Sequence, residues 1–195
     1  MKKIIVFTIP PIFWAWLFFP AMGWCAEKWF VGLYGGRFSN NALLDIVRFQ
    51  TQFEDSCIYV LSVGKEVGQY KDKISFEWEG QIALHSGRQS HKEFNAVFIS
   101  RWLPFAWDRF IDTSLAIGNG LSYATAEPPL EILDSDNNKS SQWLYYLLVE
   151  LAFGLPAQYE LDLFVRVHHR SGIFGLINDV DSGSNFIGGG IRYKF

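Results

Sequence analysis

The stretch of this chain best suited to chemistry is LDLFVRVHHRSGIFGLINDVDSGSNFIGGGIRYKF, residues 161–195. In it His169 and Ser171 are separated by a single residue. On an extended strand alternate side chains share a face, so an imidazole and a hydroxyl stand within possible hydrogen-bonding reach. An imidazole so placed can take the proton of the hydroxyl and leave a nucleophilic oxygen, and a third group can orient the ring. That is the chemistry of an activated serine nucleophile. The competing reading is a polar rim at a membrane interface, where His and Ser are ordinary, and an isolated H-x-S recurs by accident.

The surroundings raise the pair above accident and leave both readings open. Leu161, Leu163, Val165 and Val167 have the same parity as His169 and Ser171, while Asp162, Arg166, His168 and Arg170 have the other. Farther on, Ile187, Ile191, Tyr193 and Phe195 alternate on one face, and Asn185 shares it. His169, Ser171 and Asn185 are therefore expected on an apolar, lipid-facing surface, near the ends of two neighbouring strands.

Positioning them there requires a sheet, and the whole chain reads as one. Period-2 segments recur between polar or Gly/Pro-rich breaks. In residues 73–85, Ile74, Phe76, Trp78, Ile82 and Leu84 alternate with Lys73, Ser75, Glu77, Glu79 and Gln81. Strands are expected near 29–38, 56–66, 73–85, 92–101, 110–121, 142–154, 158–171 and 185–195. Each approaches the roughly 9–11 residues that a tilted membrane-spanning strand needs. The fold expected is all-β: an eight-stranded antiparallel transmembrane barrel over residues 27–195. Closure removes the open edges that hydrocarbon does not tolerate. The gaps at 39–55, 86–91, 122–141 and 172–184 read as mostly long outer loops. Those at 67–72, 102–109 and 155–157 read as periplasmic turns, which puts both termini in the periplasm. Inward positions fall to Glu77, Glu79, Gln81, Glu150, Asp162 and Arg166. In so narrow a lumen they are expected to pair with one another rather than line a pore.

Composition agrees with an exported barrel. The 195 residues are 17% aromatic with a formal charge of −3, which suits interfacial girdles and argues against a nucleic-acid partner. Lys2 and Lys3 precede an apolar run from Ile4 to Trp24, with the small residues Ala21 and Gly23 near its end. This reads as a signal peptide over residues 1–26, cleaved somewhere in 23–26. An uncleaved anchor is the alternative, and Pro10, Pro11 and Pro20 weaken it. The two cysteines, Cys25 in the leader and Cys57 in a strand, suggest neither a disulfide framework nor a zinc site. No metal and no cofactor are called for. The chain ends on Phe195 of an alternating strand, which resembles the signal read by the outer-membrane assembly machinery, an expected partner.

The H-x-S segment resembles the PagL-like lipid A 3-O-deacylase family, also labelled acyloxyacyl hydrolases. The resemblance rests on His169-Arg170-Ser171, a Gly-containing loop, and a short last strand ending in Phe195. Fainter similarity extends to FVGLYGGRFSNNALLDI, to GNGLSYA near 118–124 and to LVELAFGLP near 148–156. It implies an outer-membrane esterase that removes an ester-linked acyl chain from lipid A of lipopolysaccharide, its partner in the outer leaflet. Ser171 would be the nucleophile, His169 the general base and Asn185 the orienting group. Members of the family place a Glu at that last position and tend to have Asn where this chain has Gly172. An amide can orient a His but does not stabilise the imidazolium as a carboxylate does, so Asp179 or Asp181 in the preceding loop are alternatives. Gly172 and its neighbours are candidate backbone donors to an oxyanion. The alternative function is a catalytically weak or inactive barrel with a structural or surface-interaction role. A further one is a phospholipase-like esterase, and a homodimer is possible in any of these cases.

Overall fold

The structure, a computed structural model, describes residues 28–40, 51–135, 137–156 and 158–195. The leader expected at residues 1–26, with Cys25, lies outside the described residues. The strands are β1 (Trp29–Ser39), β2 (Phe53–Tyr70), β3 (Ile74–Gly87), β4 (Lys92–Trp102), β5 (Asp112–Ala124), β6 (Trp143–Leu155), β7 (Gln158–Ser171) and β8 (Gly183–Lys194). One helix, α1 (Pro129–Asp134), lies between β5 and β6. Each strand pairs antiparallel with the next, and β8 pairs with β1, closing the barrel.

All eight expected strands form, with differences at their ends. β2 continues to Tyr70 because its hairpin with β3 resumes after a bulge between Glu66 and Gly68. The turn then needs only Lys71 and Asp72, both at positive φ (51° and 52°). That is the mirror-image turn whose twist matches the strands it joins. The expected asymmetry of the connections holds only in part. The outer connection between β3 and β4 is the short segment 88–91, whereas the inner one between β4 and β5 runs over 103–111. The connection read as a loop at 122–141 contains α1, with Pro129 in its first turn and Leu130 and Glu131 buried. Period-2 parity cannot register a single turn of helix packed into the barrel mouth.

Alternation sorts the wall. Leu33, Leu61, Trp78, Ile82, Leu115, Leu151, Leu163, Val165 and Ile191 all face outward and are exposed. So broad an apolar exterior is stable against hydrocarbon rather than water. The inward parity carries polar and charged side chains that are nonetheless buried. Glu150 is the hub: it accepts from Arg101 Nη1 at 2.9 Å, from Arg192 Nη2 at 2.5 Å and from Arg166. Arg101 also pairs with Glu77 at 2.7 Å, Arg166 with Glu79 at 2.7 Å, and Lys194 with Asp162 at 2.9 Å. Mutual pairing offsets the cost of removing these charges from water. Tyr34, Phe38, Phe164 and Phe186 pack among them, so side chains fill the middle of the lumen. A cavity of about 450 Å³ opens at the end that holds Trp29 and Phe195. At the seam between β8 and β1 the backbones approach closely: a Cβ on Gly188 would lie 1.9 Å from the Gly35 carbonyl oxygen. Only glycine fits there.

Candidate active site on the barrel wall

His169 and Ser171 occupy the last turn of parity on β7, at the barrel end opposite the termini. Both are half-buried and face outward, whereas His168 and Arg170 between and beside them are buried in the lumen. The register of β7 with β8 sets His169 directly opposite Asn185, and Ser171 opposite Gly183. Antiparallel partners on one face have Cβ atoms ~4.5–5.5 Å apart, close enough for side chains to meet. Here His169 Nδ1 and Asn185 Oδ1 are 2.7 Å apart. With the amide oxygen accepting from Nδ1–H, the ring is held in the tautomer whose Nε2 carries the free lone pair. That is the form in which an imidazole acts as a base.

Ser171 Oγ is oriented by a different group. It accepts a hydrogen bond from the Ile173 backbone N–H at 3.0 Å, which fixes the oxygen and leaves the hydroxyl proton free to be donated. Its bond is with Ile173 rather than with His169. Residues two apart on a strand are separated by about 6.5 Å along it, so the pair meets only when both side chains lean together. On the other flank, β6 places Leu147 opposite His169 and Tyr145 opposite Ser171, and the Tyr145 hydroxyl donates to Asn119 Oδ1.

The loop 172–182 between β7 and β8 turns sharply. Ile173, Phe174, Asn178 and Asp179 all have positive φ, between 51° and 59°. For a β-branched residue such as Ile173 that conformation costs roughly 1–2 kcal/mol. Hydrogen bonds from Ile177 N–H to Gly172 O and from Gly175 N–H to Val180 O, both 2.9 Å, hold the loop together. Its tip exposes Phe174 (95%) and Leu176 (68%) immediately beyond Ser171.

The remaining sequence candidates sit elsewhere. Asp179 pairs with Lys139, whose ammonium holds the Asp179 carboxyl below its usual range. Asp181 accepts from Ser135 Oγ at 2.6 Å. Neither carboxylate orients His169; Asn185 holds that position. Glu150 is a lumen residue, as its parity required. The Gly172 N–H donates to the Ser182 carbonyl at 3.2 Å, and Ile173 N–H to Ser171, so neither is a free oxyanion donor. Cys57 is a free thiol on β2.

Sequence reasoning missed a second group of titratable residues, inside the outer mouth. His85 from β3, Glu93 from β4 and His168 from β7 converge there, with His91 and Gln89 from the short 88–91 connection. The spacing of His85, His91 and Glu93 across a tight hairpin was the available signal, because it brings one face of each strand together.

No family model matches the sequence, and no curated protein matches it. Among solved structures, the chain superposes on neisserial surface protein A (TM-score 0.51, 12% identity), covering 87% of this chain and 99% of that one. It superposes on the outer-membrane enzyme PagL with a TM-score of 0.50 at 14% identity, covering 85% and 98%. The outer-membrane protein OprG from Pseudomonas aeruginosa gives 0.44 at 13% identity, covering 87% and 95%. A surface protein and an enzyme thus share one architecture, which leaves activity to be argued from the site. The chain has the eight-stranded fold of the bacterial outer-membrane barrels and is an outer-membrane protein.

Proposed function

We propose that the protein is an outer-membrane esterase that hydrolyses an ester-linked acyl chain of lipid A. Ser171 is the nucleophile, His169 the general base and Asn185 the group that orients the ring. The observation that carries this reading is the 2.7 Å contact between His169 Nδ1 and Asn185 Oδ1, with Ser171 next on the same outward face. A polar pair of this kind on an apolar wall, at the end away from the termini, lies at the depth where sugar headgroup meets acyl chain. Phe174 and Leu176, exposed on the adjoining loop, offer apolar surface for the acyl chain to lie against. In the reaction, His169 Nε2 takes the Ser171 proton as Oγ attacks the ester carbonyl. The protonated ring then gives that proton to the departing sugar oxygen, and water releases the fatty acid in the second half. A Gram-negative host expressing the protein should yield lipid A lighter by one acyl chain in mass spectrometry. Ser171→Ala and His169→Ala should both abolish the change. Unaltered lipid A in the presence of correctly folded wild-type barrel would refute the reading, and loss of phospholipid acyl chains instead would reassign the substrate.

A second reading, a barrel with a structural or surface role and little catalysis, is favoured by Asn185 itself. Its amide does not neutralise an imidazolium, and Ser171 Oγ bonds to Ile173 rather than to His169.

A further inference from the structure

The outer mouth of the lumen holds a carboxylate without a fixed positive partner. Glu93 is 0% exposed, and among the described residues its ion-pair partners are two imidazoles. His85 Nε2 lies 2.8 Å from Oε2 and His168 Nε2 lies 2.9 Å from Oε1, while the Ser122 hydroxyl donates to Oε1 at 3.0 Å. The nearby Arg170 is already engaged by Glu131 at 2.7 Å and by Ser122. A buried carboxylate with no fixed cation bonded directly to it is a favourable place to bind one.

The groups around it are those a metal would use. His85, His91 and Glu93 each offer a ligand atom, and these atoms lie within 4.8 Å of one another. The His91 ring stacks on His85 with centroids 3.9 Å apart. His91 is only 9% exposed, yet its Nε2 has no hydrogen-bond partner. Gln89, 3% exposed, leaves its Oε1 unpartnered while its amide nitrogen donates to His85 Nδ1 at 3.2 Å. A buried ring nitrogen and a buried amide oxygen are thus left without partners at one spot, where such groups are ordinarily satisfied.

We infer that His85, His91 and Glu93 form a site for a divalent transition-metal ion of the zinc class in the outer mouth of the lumen. Two imidazoles and a carboxylate are a common ligand set for that class. Tetrahedral bonds of ~2.05 Å would set ligand atoms about 3.3 Å apart, so the His85–Glu93 contact must open by about half an ångström. A side-chain adjustment suffices. When His85 Nε2 binds the ion its proton resides on Nδ1, and a half-turn of the Gln89 amide brings Oε1 round to accept it. His168 then orients the carboxylate from behind, its own Nδ1 held by the Tyr34 and Tyr146 hydroxyls at 2.8 and 3.1 Å. Such supporting contacts fix a metal ligand's direction and basicity. This site is separate from the pair on the outer wall and does not depend on it.

The test is titration of the untagged protein, folded in detergent micelles, with Zn²⁺ by calorimetry and with Co²⁺ by absorption. One equivalent should bind, with the visible bands of four-coordinate Co²⁺. His91→Ala, which alters the 88–91 connection and no strand, should weaken binding more than roughly tenfold. Glu93→Gln should do the same, and His169→Ala on the wall should leave binding intact. Each variant's fold is checked by retained heat-modifiable mobility on gels. Absence of stoichiometric binding to the folded wild type overturns the site, as does equal binding by folded His91→Ala.

Discussion

Asn185→Asp changes charge at the wall site while leaving shape nearly untouched. The amide oxygen already sits 2.7 Å from His169 Nδ1, so a carboxylate oxygen falls in the same place. As His169 takes the Ser171 proton, a positive charge develops about 4 Å from the new negative one, worth ~4 kcal/mol at an effective dielectric of 20. Partial exposure of the pair and desolvation of the carboxylate reduce that. Hydrogen bonds to charged groups contribute ~1.5–3 kcal/mol against ~0.5–1.5 for neutral ones, which leaves a gain of about 1–1.5 kcal/mol. At 1.36 kcal/mol per factor of ten, turnover should rise roughly tenfold. Because the charge appears only as the ring is protonated, kcat should rise while KM stays near its starting value. The assay is release of fatty acid from purified lipopolysaccharide in mixed micelles, with Asn185→Ala alongside. Asn185→Ala should fall below the wild type, since the ring is then free to turn. If Asp and Ala variants, both folded, match the wild type, Asn185 does not orient the base and the catalytic assignment fails at this position.

Three further outcomes follow from the same structure. Glu150→Gln removes the carboxylate shared by Arg101, Arg166 and Arg192; the first two keep Glu77 and Glu79, but Arg192 is left with Asp162 at 3.9 Å, and an undercompensated buried guanidinium should cost ~3–5 kcal/mol. The measurement is the urea midpoint for unfolding from lipid vesicles, which should drop markedly. Gly188→Ala drives a methyl into the Gly35 carbonyl at the closing seam, where the atoms it meets are all backbone of β1, so folding yield should collapse or stability fall by more than ~1–3 kcal/mol. Asp179→Asn, in contrast, keeps a residue that tolerates the positive φ there and breaks only an exposed pair with Lys139, so both deacylation and unfolding midpoint should match the wild type. A large loss of turnover there would show that Asp179 leaves Lys139 to serve His169.

What the sequence determined by itself is the set of local facts. Side-chain direction on a strand depends only on counting by twos, so the outward face of His169 and Ser171 and the inward face of Glu77, Glu79, Glu150 and Arg166 could be read from neighbouring leucines and valines. The number of strands and their closure followed from the same count, because a membrane admits no open edge. What only the tertiary structure decided is register and convergence. That His169 faces Asn185 depends on which residue of β8 lies opposite, and a shift of two residues would keep every face while separating the pair. The long loop read at 122–141 is present, but the helix α1 within it, and the shortness of the 88–91 connection, depend on what the barrel end must cover. The cluster of His85, His91, Glu93 and His168 was invisible for a related reason. Its members are distributed over three strands and a turn, and only the curvature of a closed sheet points them at one spot.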